Sequence, residues 1–117
     1  MKFMVSLITD GTAMAEMTPD EREEMGAKMM RVMGELDDAG VLVDPGGALA
    51  SSATAKTLRY GAEGKVVVTD GPFAESKEQM AGYMVLECAD VDEAVSWVRK
   101  LPFRGSSVEV RPISDRA

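Results

Sequence analysis

The chain has 117 residues, 45% of them hydrophobic, with one cysteine and no histidine. The missing imidazole excludes a Ser-His-Asp triad, a Cys-His pair and histidine metal ligands. The lone thiol of Cys88 excludes an internal disulfide and Cys-based zinc sites. A net charge of −7 with only 5% aromatic residues argues against nucleic-acid binding, which needs clustered cations and stacking platforms.

The length fits one domain, expected over residues 1–113 with a polar tail over 114–117. No stretch approaches the ~20 apolar residues of a membrane span, and the apolar run that ends at Ile8 is too brief for a signal peptide. A cytoplasmic protein with no membrane partner, metal or cofactor is the expectation.

Residues 3–8 alternate, with Phe3, Val5 and Leu7 on one face and Met4, Ser6 and Ile8 on the other. Both faces are largely apolar, as in a strand covered on both sides. Asp10-Gly11-Thr12 breaks the pattern. Thr18 then caps a helix predicted over 18–39, with Pro19 at its first position and Glu21 completing a capping box. Met25, Met29, Val32, Met33 and Leu36 form its apolar stripe, with methionine read as core filler, and Gly40 stops it.

Val41-Leu42-Val43 is the next apolar run, and Asp44-Pro45-Gly46-Gly47 is read as a turn or kink. Residues 54–60 and 65–69 flank a Gly-bounded link and predict a β-hairpin. A strand over 83–88 follows, with Met84, Leu86 and Cys88 on one face. Asp90 and Glu93 then open a helix whose stripe is Val91, Ala94, Trp97, Val98 and Leu101, ended by Pro102. Val108 and Val110 alternate with Glu109 and Arg111 in a last strand.

Two strand–helix–strand halves on one sheet predict an α+β, ferredoxin-like (split βαβ) sandwich with an inserted β-hairpin. Both helices must then cover one sheet face. The other keeps apolar residues without cover, which predicts a homodimer packed through its sheets.

The densest chemistry lies in Thr69-Asp70-Gly71-Pro72-Phe73-Ala74-Glu75-Ser76-Lys77-Glu78-Gln79. Asp70 is expected to bond amides two residues on, while Gly71 and Pro72 make a rigid turn that holds Phe73. This stretch resembles the hallmark of the DGPF-motif branch of the YCII-related family. The resemblance extends to Lys2-Phe3-Met4, Ala39-Gly40-Val41-Leu42, Gly82-Tyr83 and Val108-Glu109-Val110-Arg111-Pro112. It implies a dimeric α+β barrel, two sheets packed face to face around a cleft, in a bacterial family of poorly defined biochemistry. The wider family's proposed His-Asp mechanism cannot carry over to a chain without histidine.

Within such a cleft, Ser6, Arg59, Glu87, Glu109 and Arg111 are the polar residues that interrupt apolar strands. Candidate acid–base residues are Asp70, Glu87 and Glu109, since a carboxylate buried beside few charges can move protons. Candidate ligand-binding residues are Asp70, Phe73, Glu75, Lys77, Arg59 and Arg111. Cys88 reads as a small core residue. Three functions fit: a dimeric module that binds a small molecule or partner; a cofactor-free isomerase or monooxygenase-like enzyme; and, from the resemblance alone, an accessory partner of an extracytoplasmic-function sigma factor.

Overall fold

Alternation in the first strand decides the layering. In the computed structural model, which describes residues 1–115, β1 (Lys2–Thr9) buries Phe3 and Val5 on one face. The last two residues of the expected tail over 114–117 lie outside the described residues. A short helix α1 (Thr12–Glu16) follows, then α2 (Pro19–Asp38), β2 (Leu42–Ala48), β3 (Lys56–Tyr60) and β4 (Val66–Asp70). The chain closes with β5 (Gln79–Glu87), α3 (Val91–Val98) and β6 (Ser107–Pro112). No helix among the described residues is long and apolar enough to cross a membrane.

The four-stranded sheet runs β2-β5-β1-β6, all antiparallel, and β3-β4 form a separate two-stranded sheet. This is the strand order of the split βαβ, ferredoxin-like arrangement, with the hairpin inserted between its halves. Phe3 opposes Leu86, and Val5 opposes both Met84 and Val110. These side chains meet Val32 and Leu36 of α2 and Ala94 of α3 in one core, with Trp97 and Val98 packed at its edge. Both helices therefore lie on one face, as the alternation requires. The reverse face carries Met4, Ser6 and Ile8 of β1 opposite Val85, Tyr83 and Met80 of β5.

The start of α2 follows its sequence signals. Thr18 Oγ1 accepts from the Glu21 amide at 3.1 Å, and Glu21 Oε1 accepts from the Thr18 amide at 3.0 Å. At the other end Gly40 adopts φ 71° and its amide donates to Asp37. Asp90 caps α3 by accepting from the Glu93 amide at 2.9 Å.

Two expectations are corrected, and one element has no counterpart in the sequence pattern. Asp44-Pro45-Gly46-Gly47 is a kink within a strand rather than a turn out of the sheet, because β2 runs through it as an edge strand with two register shifts against β5. An edge tolerates Pro45, whose missing donor faces no neighbouring strand. Gly46 has φ 60°, and a Cβ there would sit 1.9 Å from the Tyr83 carbonyl, so only glycine lets the bulged strand approach. The methionine stripe of α2 is not core filler throughout, since only Val32 and Leu36 are buried while Met25, Met29 and Met33 remain half-covered. Finally α1, five residues long, has no apolar period to announce it.

Leu36, 1% exposed, is the centre of the α2 contact. Leu36→Ala should lower unfolding free energy by about 2–5 kcal/mol in urea titration. The Glu21 carboxyl is held below its ordinary 4.5, first by the Thr18 amide and hydroxyl and then by Arg104. Its contribution is therefore present above pH 4.5 and lost as pH falls through the lowered value. Glu21→Gln, which keeps the cap but not the charge, should flatten that part of the acid limb.

Candidate functional site

The loop after β4 is organised by one face of the hairpin. Thr57 and Arg59 point to the same side of β3. Thr57 Oγ1 donates to the Gly71 carbonyl at 2.8 Å, and Arg59 Nη2 donates to the Phe73 carbonyl at 3.2 Å. The Gly71 amide, at φ 94°, donates to Ala55 at 2.7 Å. The Arg59 guanidinium also stands 5.5 Å from the Phe73 ring centroid, in cation–π range. Gln79 clamps the far end, its Nε2 donating to the carbonyls of Ala74 and Ser76 at 2.8 Å each. The loop is thus tied by hydrogen bonds at both ends, yet Phe73 is 78% exposed.

Asp70 corrects the expected turn bond. It is the last residue of β4 and pairs across the hairpin with Lys56, its register partner. Salt-bridging to a cation satisfies the carboxylate better than a bond within its own turn. Glu75 and Lys77 are exposed further along the loop. The Asp10 carboxyl, held low chiefly by the Thr12 amide and hydroxyl, also feels the Lys77 charge.

The remaining candidates sit on the uncovered face of the four-stranded sheet. Glu109 Oε1 and Arg111 Nη2 are 2.6 Å apart, two residues along the same strand. Glu109 lies opposite Ser6, which is buried, and Arg111 lies opposite Met4. Glu87, at the end of β5, pairs with the N-terminal ammonium at 3.2 Å. Within one chain the structure therefore brings Arg59 to Phe73 and Glu109 to Arg111, while Asp70 lies with Lys56 on the other face of the hairpin and Glu87 lies beside the N-terminus. The side chains of Asp70, Glu87 and Glu109 are each half-exposed or more and ion-paired. Such pairs are well hydrated and contribute about 0–1 kcal/mol each.

One feature escaped the sequence patterns. On the helix-covered face, beyond the core, a cavity of about 320 Å³ opens between α2, α1 and the sheet. The methionine stripe was its only sequence signal. A wider groove of about 560 Å³ runs between α2 and the segment after α3, but it is charged. Its Glu21 and Arg104 lie 3.4 Å apart, and its Glu24 and Lys28 lie 3.3 Å apart.

With strand order, loop and sheet faces described, the comparisons with known proteins are decisive on lineage. A model of the YCII-related domain matches residues 1–116. The chain belongs to the YCII-related domain family. It is similar to the uncharacterized protein R00369 of Rhizobium meliloti (strain 1021), at 36% identity over 118 residues, covering 97% of this chain and 93% of that protein. In this YCII-related chain the one thiol, Cys88, is buried in the core as expected. Burial, then the nearby Glu93 carboxylate, pushes it up to about 11.

The thiolate, not the thiol, is the nucleophile. Native protein at pH 8 should therefore resist a disulfide-exchange reagent such as dithiobis-nitrobenzoate, reacting fully only after urea unfolding. Because the folded value lies above the ordinary 9.0, the unfolded thiol ionises first, and stability should fall as pH rises from 9.0 towards 11.

Proposed function

We propose that this YCII-related chain works as a homodimer, closed through its uncovered sheet faces, that binds a small ligand in the cleft so formed. The carrying observation is surface area. The chain exposes 8274 Å², against roughly 6,200 Å² for a compact monomer of its 12.6 kDa mass. The excess of about 2,000 Å² per chain is in the range that obligate homodimers bury. The radius of gyration, 16.5 Å, likewise exceeds the about 13 Å of a compact chain this long.

The excess has a place in the fold. On β3-β4, Leu58 pairs with Val68 and Tyr60 with Val66, so one face of the hairpin is apolar. All four residues are exposed, Tyr60 at 77%. An isolated two-stranded hairpin is marginal in water. A second copy is the fitting occupant, because each chain brings both an uncovered hairpin face and an uncovered sheet face. A two-fold operation covers both at once.

Arg59 on β3, Asp70 at the end of β4 and Phe73 in the loop, with Glu75 and Lys77 beyond them and Arg111 on the sheet, would then rim the cleft. Arg59 and Lys77 supply cations for an anionic group, while the Phe73 ring supplies apolar surface. Binding is favoured over acid–base catalysis because each candidate carboxylate is already engaged by a cation in water.

Sedimentation equilibrium should give twice 12.6 kDa for the wild type, and Val68→Asp should give a monomer. A monomeric wild type would sink the reading, as would a dimer untouched by Val68→Asp. In a thermal-shift screen against small carboxylates and phosphates, a stabilising compound should lose its effect in Arg59→Ala with Lys77→Ala. Equal shifts in both proteins would remove the loop from the site.

A further inference from the structure

The cavity on the helix-covered face is independent of the proposed dimer surface, and its lining has a definite chemistry. Protein interiors pack to crystal density and leave few voids larger than a water molecule. The recess of about 320 Å³ under α2, open to solvent on one side, is far larger than such voids. It falls at the lower end of small-molecule sites, which run about 300–1,000 Å³.

Its origin is readable in the register. Along β1 the helix-facing residues Phe3 and Val5 meet Leu86 and Met84, but Leu7 meets Gly82. Gly82 has no side chain to fill the layer, and its edge-strand neighbours Gly47 and Ala48 add almost nothing. A Cβ on Gly82 would lie 3.2 Å from the Gly47 carbonyl, a tight contact that glycine avoids. The floor recedes where α2 still passes above. The roof is Met29 and Met33 of α2, Met14 of α1, and Phe103. Unbranched thioethers suit this position, since they adjust to guests of different shape.

No charged residue lines the cavity among the described residues, and Tyr83 is the only lining residue with a polar side chain. Water against this wall finds few of the two to four polar partners that an ordered water takes. An ion would lose its hydration without finding a counter-charge. We infer that this cavity is a binding site for a neutral, predominantly apolar small molecule, held under the methionines of α2 and over the glycine floor of β2 and β5.

The test uses the full-length protein and N-phenyl-1-naphthylamine, a neutral dye that fluoresces on leaving water. Titration should show saturable binding of one dye per chain. 1-Octanol should displace it, whereas octanoate at the same concentration should not. Ala48→Leu, at the position paired with Gly82, extends a side chain over the floor and should weaken dye binding at least tenfold. Met33→Phe, which fills from the roof instead, should do the same and covers the case where the strand variant fails to fold. Tyr60→Ser, on the hairpin, should leave dye affinity unchanged. Wild-type affinity in a folded filling variant, loss of binding in Tyr60→Ser, or displacement by octanoate as effective as by octanol would each overturn the assignment.

Discussion

A sheet has two faces and this chain has helices for only one of them. Phe3 and Val5 alternate with Met4 and Ser6 along β1, and the pairings to Leu86, Met84 and Val110 carry that alternation across the sheet. Crossovers of fixed hand send α2 and α3 to the same side, where Val32, Leu36 and Ala94 close the core. The unequal treatment of the two faces follows from this, and so do the location of the polar candidates and the large exposed area.

The same constraint separates two environments that a small ligand could meet. On the uncovered side, the polar side chains are hydrated and paired: Glu109 with Arg111, Glu87 with the N-terminus, and Asp70 with Lys56 on the hairpin. Their electrostatics are those of a rim, where pairs are weak and exchange readily with an incoming ion. On the covered side, the space between Met29, Met33 and Gly82 is nearly free of polar side chains. One chain thus carries a surface of paired charges and an apolar recess, divided by the thickness of its own sheet.

Much of the architecture was legible because its determinants are local. The capping box of Thr18 and Glu21 is a contact three residues long, and it starts α2 where the pattern places it. The phase of β5 follows from the alternation of Met84, Leu86 and Cys88, all three buried. The Asp44-Pro45-Gly46-Gly47 segment misled for an equally physical reason. Its residue types favour a turn, but its conformation is set by pairing to Tyr83, nearly forty positions away. Asp70 behaved likewise, its local turn chemistry overridden by the cross-strand ammonium of Lys56. Of the candidate site, Arg59 and Phe73 proved to be neighbours, while Asp70 pairs with Lys56 on the other face of the hairpin, a division set by the register rather than by sequence distance.

The absence of histidine, read from composition alone, already removed imidazole chemistry, and no tertiary arrangement can restore it. Periodicity and caps likewise determined the long helices α2 and α3 and the strands β1, β5 and β6, because those preferences act within a few residues. Which carboxylates stay hydrated and which backbone glycines leave a cavity was decided by long-range pairing alone. The same pairing decided that a methionine stripe would be half core and half roof. Residue type sets what a side chain can do, whereas the partner it meets across the sheet sets what it does.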